Sequence, residues 1–273
     1  MEKNKRKKKP QEPLRYLKGA PLDSQTLPTV VKLCLSMVAL MIAFLLLGMM
    51  LMWKNNILRV TVNAFLLFLA YFVYWQAGLS AGATAVNLGE ILYQRQETDR
   101  EIDAGERKRA FHPAKGFLNG LIGSIPVFLC AIGLALTAEK IMASAGTLPS
   151  WVEPLERREE IGGALASYHV GASLTVTDVL RLLIRMAIMP FVNIVGAENR
   201  DGLLMLERVS PLLVLLPGLS YGIGYLSGVS VRSRVHADIE EGKRKMKNRQ
   251  KRELQQRKKQ RRPETDRGPG QLN

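Results

Sequence analysis

The sequence predicts an all-α integral membrane protein with four transmembrane helices plus one amphipathic helix lying in the membrane interface. Three observations carry that prediction. First, residues 30–53 and 57–86 are two long, nearly uncharged runs separated by the polar break at 54–56. A helix rises about 1.5 Å per residue and the hydrocarbon core is about 30 Å thick, so each run is long enough to cross. Second, two further apolar runs follow, and with all four set aside no segment reaches the roughly 50 compact residues of an ordinary soluble domain. Third, the positive charge sits at the chain ends. Of a net +15, residues 1–28 hold eight Lys/Arg against three acids, and residues 232–273 hold fifteen against six. The chain therefore divides into a basic cytosolic tail (1–29), a multi-pass membrane domain (30–231) and a second basic cytosolic tail (232–273).

The elements follow in order. Residues 1–27 contain the run Lys5–Lys9, Pro10 and Pro13, and read as disordered or loosely helical. The first span is expected at 30–53, retained as a signal anchor because its apolar run exceeds the 7–15 residues of a cleavable signal. The second is expected at 58–83, opened by a snorkelling Arg59. It ends in small residues, with Gly78 and Gly82 at the spacing that lets backbones approach closely. Residues 87–115 balance six Lys/Arg against six acids and read as a solvated helix broken near Gly105, His112 and Pro113. The third span is expected at 116–142, with Gly116, Gly120 and Ser124 on one small face and a kink at Pro126. A loop follows over 144–174, with one or more helical turns in 153–166. Residues 176–197 place Asp178, Arg181, Arg185 and Asn193 on one helical stripe in otherwise apolar sequence. The last span is expected at 209–231, with two more close-packing pairs, Gly218/Gly222 and Gly224/Gly228.

The number of crossings turns on 176–197. Lys and Arg are retained on the cytoplasmic side. With five spans, the alternative, 17 Lys/Arg fall inside and 20 outside; with four they divide 30 to 9. Placing Asp178, Arg181 and Arg185 at mid-depth would also cost about 2.5–3.5 kcal/mol each. Four spans with an interfacial helix on the outer face is the better solution. It sets the stripe Asp178/Arg181/Arg185 toward water and the opposite face toward lipid.

No motif for chemistry stands out. Gly78-Leu79-Ser80-Ala81-Gly82 and Gly218-Leu219-Ser220-Tyr221-Gly222 both fit G-x-S-x-G. Inside apolar helices this resembles the serine motif of rhomboid-type intramembrane proteases. That resemblance implies a serine nucleophile activated by a histidine at membrane depth. His112, His169 and His236 all fall in expected loops or tails, so helix packing explains both stretches better. The run 222–228 is one residue out of step with a dinucleotide fingerprint, and no strand precedes it. The acids Glu97, Asp99, Glu101 and Asp103 alternate around a helix and do not make a metal cage. Cys34 and Cys130 lie in apolar sequence without metal-type spacing, and no disulfide is expected. No cofactor is expected.

What the composition does indicate is a partner class. Lys243, Arg244, Lys245, Lys247, Arg249, Lys251, Arg252, Arg257, Lys258, Lys259, Arg261 and Arg262 form a dense basic stretch. Such a stretch attracts anionic lipid headgroups or RNA, including the ribosome. The functional expectation is a non-enzymatic scaffold or accessory protein of the plasma membrane, able to self-associate through its glycine faces. The alternative is an oligomeric channel or transporter subunit that uses Arg181 and Arg185 as pore charges.

Overall fold

A computed structural model describes residues 15–51, 55–139, 175–196 and 199–260. Their regular structure is entirely helical: α1 (Thr26–Met50), α2 (Asn56–Glu97), α3 (Ala104–Arg109), α4 (Pro113–Thr137), α5 (Val176–Ala187), α6 (Met189–Val195) and α7 (Arg200–Gln260). Four of them, α1, α2, α4 and α7, are long and apolar enough to cross a membrane. The set is compatible with a multi-pass membrane protein.

Local chemistry sets the helix ends. The Asn55 side chain accepts from the amides of Ile57 and Leu58 at 3.0 and 3.4 Å and starts α2. His112 caps α4 through Nδ1, and Pro113 occupies its first turn, where a missing N–H is harmless. Thr175 and Asp178 form a reciprocal capping box at the start of α5. Gly196 follows α6 at φ +91°, a conformation that favours glycine.

Several boundaries differ from expectation. α2 and α7 run well past their apolar cores, because charged residues with favourable helix propensity continue them on one side. Gly105 does not break a helix but lies within α3; the break comes earlier, at 98–103, where Asp99 turns to φ 52°. Residues 15–25 are not loose. Leu17 and Gly19 donate to the carbonyls of Gly89 and Phe111 at 3.1 and 3.0 Å, pinning this segment across one end of the bundle. Pro126 sits inside α4 without ending it. The helical turns expected within 153–166 lie outside the described residues.

The bundle is built around α7, which packs most extensively on α2 and on α4. Both faces are made by glycine. Toward α2, a Cβ on Gly224 would meet the Trp75 carbonyl, and one on Gly228 would meet the Gly82–Ala83 backbone. In return, Gly78 and Gly82 lie against the carbonyls of Tyr221 and Tyr225. Toward α4, Gly218 and Gly120 face each other backbone to backbone, and Ser124 is fully buried beside them. Gly116 and Gly222 receive the rings of Tyr225 and Phe117. Lipid tails are as apolar as leucine, so such close approach supplies the packing that burial from water supplies elsewhere. α1 completes the bundle, with Ser36 Oγ 3.2 Å from Tyr74 Oη on α2.

The stretch 176–197 corrects an expectation. It is two helices, not one, because Pro190 cannot continue the hydrogen-bond ladder from α5. One face of α5 is exposed, at Val176, Val179 and Leu182, while Arg181 and Ile184 are buried. α5 descends along α4: Arg181 bonds the Glu139 carbonyl, Leu180 reaches Gly133, and Ala187 lines a small apolar cavity with Met37, Leu40, Val127 and Val214. After the break at Ile188, Met189 packs on Phe44, Leu67 and Ala70, and the chain returns to Gly196, beside Arg59. It enters and leaves the bundle at the same end.

The glycine seams predict a contrast. Gly120→Ala must displace the Gly218 backbone, so it is expected to cost about 1–3 kcal/mol. Gly242 has nothing within 4 Å, and Gly242→Ala is expected to be neutral or mildly stabilising through helix propensity. Melting curves of both variants in mild detergent check this. Equal midpoints would show that the α4–α7 seam is not closed.

Candidate functional site

Two charges of the stripe, Arg181 and Arg185, face inward. Arg181 donates through Nε to both oxygens of Glu207, at 2.9 and 3.1 Å, and through Nη2 to the Glu139 carbonyl at 3.1 Å. Arg185, one turn on, reaches the same carboxylate through Nε at 2.9 Å and Nη2 at 2.6 Å. The Glu207 side chain is 3% exposed, Arg181 10% and Arg185 30%. Asp178 stands 3.5 Å from Arg181 at the exposed start of α5. On the opposite face, Val176, Val179 and Leu182 point outward. The apolar side of α5 is thus outward, while Arg181 and Arg185 meet Glu207 of α7 and Asp178 stays exposed.

Glu207 is the residue that sequence reasoning missed. It lies just before the apolar run of α7, where it reads as a loop residue. The signal that could have found it was the pair Arg181/Arg185 at i,i+4, two cations on one turn that need a counter-charge when buried. Among the described residues, two guanidinium groups on one buried carboxylate leave the interior of the centre net positive. Asp178 offsets this only at the solvated rim, and Arg185 is the more accessible of the two cations.

A second polar contact holds the returning helix. Asn193 Nδ2 donates to the Gly48 carbonyl at 3.0 Å and to Asn63 Oδ1 at 3.2 Å, and Asn63 donates to the Arg59 carbonyl at 2.8 Å. The Arg59 guanidinium lies against Gly196.

At the other end of the bundle is a collar of ion pairs. Lys115 Nζ binds Asp23 at 2.7 Å, with both side chains buried, and also reaches the Arg109 carbonyl at 3.2 Å. Burial opposes the Asp23 carboxylate, but Lys115, Thr26 and the Gln25 amide together hold its pKa below the ordinary value. Glu90 accepts from Arg232 Nε at 3.1 Å and contacts His236 Nε2 at 3.0 Å; Arg232 also binds Asn87. These pairs fix the point where α7 leaves the bundle. Beneath them the Phe111 ring stacks on Tyr225 and meets Tyr16 edge-on.

The remaining sequence-derived residues are dispersed. From Lys243 to Arg257 the basic side chains are exposed on α7; Lys258 and Lys259 continue the helix, and Arg261 and Arg262 lie outside the described residues. Ser220 donates to the Tyr71 carbonyl at 2.8 Å, a helix-to-helix bond, while Ser80 is exposed. His112 caps α4 and His236 meets Glu90; His169 is outside the described residues. Cys34 and Cys130 are free thiols. Among the described residues no cluster of three His, Cys, Asp or Glu is placed to hold a metal. No family model, curated protein or solved structure matches the chain.

Glu207→Gln strands two guanidinium groups and is expected to cost about 3–5 kcal/mol, whereas Asp178→Asn keeps the helix cap and should cost far less. Detergent melts separate the two. Asp23, with a depressed pKa, contributes stability above its unfolded pKa of about 3.9 and loses it as pH falls through the lower folded value. The melting temperature should therefore drop over that acid range, and Asp23→Asn should flatten the drop.

Proposed function

We propose that this chain is a non-enzymatic, multi-pass scaffold or accessory protein of the plasma membrane, with both termini cytoplasmic and a C-terminal basic helix for an anionic partner. The observation that carries the reading is the continuity of α7. One helix forms the middle of the bundle and then extends, exposed and basic, beyond it. The even number of long apolar helices supports the common side of the termini, as does the meeting of residues 15–25 with the exit of α7 at one end. The 30-to-9 division of Lys and Arg favours the cytoplasm as that side.

Reporter fusions test the topology. A reporter active only outside the cytoplasm should be silent after Asn273, and active both near Ser150 and near Arg200. Signal after Asn273 together with silence near Arg200 would mean five crossings and would overturn this arrangement.

The second reading is an oligomeric channel or transporter subunit. The excess positive charge inside the Arg181/Arg185/Glu207 centre and the partial exposure of Arg185 favour it. It predicts anion flux in proteoliposomes that Arg185→Gln reduces by more than the fraction of protein the variant's melting curve shows to be unfolded.

A further inference from the structure

We propose that the outer part of α7 is a docking rod for double-helical RNA, held off the membrane. This deepens the reading of α7 as an anionic-partner helix and rests on it.

The first argument is distance. Gly116 and Tyr225 mark the level where α4 enters the bundle beside α7. The apolar run of α7 continues to Val231, and from there to Lys243 the helix climbs about 18 Å, at about 1.5 Å per residue. The Debye length at physiological salt is about 8 Å. The basic stretch therefore begins about two screening lengths beyond the end of that apolar run. Arg232 and His236 fasten its root to Glu90. Ion pairs one turn apart, Glu241–Lys245 at 2.9 Å and Arg249–Glu253 at 3.1 Å, support the helix further out.

The second argument is the distribution of charge. Residues 243–257 carry eight Lys/Arg and one acid. At 3.6 residues per turn, Lys243 and Lys245 point about 200° apart, and the others fill most directions between them. A helix that lies on a bilayer needs a broad apolar side. Here the apolar side chains are the isolated, exposed Met246 and Leu254. Charge on nearly all sides suits a polyanion whose phosphates approach from more than one direction, as flanking strands of a duplex do.

The third argument is side-chain chemistry. Residues 233–257 contain no Phe, Tyr or Trp, so there is no stacking platform for single-stranded bases. Asn248, Gln250, Gln255 and Gln256 interleave the cations. Their amides both donate and accept, which matches the 2′-hydroxyls displayed in the shallow groove of A-form RNA. That commits the proposal to RNA rather than DNA.

The test uses the full chain in nanodiscs of zwitterionic phosphatidylcholine, with a fluorescent RNA duplex of about 20 base pairs, longer than the roughly 16 a double-strand reader spans, followed by anisotropy. The expected result is salt-sensitive binding, with a DNA duplex of equal length bound several-fold more weakly. Lys243→Gln/Lys247→Gln/Lys251→Gln should weaken RNA binding at least about tenfold and reduce the slope of log K against log salt by about 2–3, since each neutralised phosphate contributes about 0.7–0.9 to that slope. Its melting temperature should be unchanged, because all three side chains are exposed. Equal affinity for RNA and DNA, or an unaltered salt slope in the triple variant, would overturn the proposal. So would salt-sensitive capture of phosphatidylserine vesicles or polyglutamate with no RNA binding, although the anionic-partner reading would then survive. Failure to bind RNA, vesicles and polyglutamate alike would overturn both.

Discussion

Close backbone approach between α7 and its two neighbours is the constraint on which the rest of the structure depends. In hydrocarbon, burial of leucine against leucine gains little over burial of leucine in lipid. What remains is packing density, and glycine on both sides of α7 provides it. Gly224 and Gly228 bring α2 in, and Gly218 and Gly222 bring α4 in. With α2 and α4 fixed on α7, the ends of the bundle acquire fixed spacing. One end then holds Glu207 where α5 can reach it, and the other holds Glu90 beside Arg232 and His236.

The two ends are built differently. At the hairpin end the charges are few, deep and shared, with two arginines on one carboxylate. At the other end they form several separate pairs, most of them partly solvated, around the exits of the N-terminal segment and α7. Pairs of the second kind contribute modestly and are screened by salt. A buried, shared carboxylate is different: its gain over an apolar equivalent is small, but its loss is severe. The hairpin is therefore held by an interaction that specifies a position more than it adds stability.

Much of this was legible in the sequence. The four apolar helices follow from run length alone, and small residues every fourth position mark the seams before any neighbour is known. The course of 176–197 was not legible. Its stripe of Asp178, Arg181 and Arg185 has the same periodicity whether it faces water or a partner, and the partner, Glu207, is remote in sequence. Pro190 signals the break, but the return of α6 depends on Asn193 meeting Gly48 and Asn63 across the bundle. Nor does composition distinguish a basic tail from a basic helix. The attachment of Arg232 and His236 to Glu90 pairs residues that lie far apart in the chain.

The order of the chain gives the Glu207 centre a temporal meaning. Arg181 and Arg185 emerge during synthesis before Glu207 does, and the cavity-lining Val214 later still. Until then the α5–α6 hairpin has two cations and no buried counter-ion, so its settled place in the bundle does not yet exist. Its packing is conditional on the last helix, which carries Glu207. The closing of that end of the bundle thus requires the start of α7, and a chain lacking Glu207 would leave Arg181 and Arg185 without their shared carboxylate.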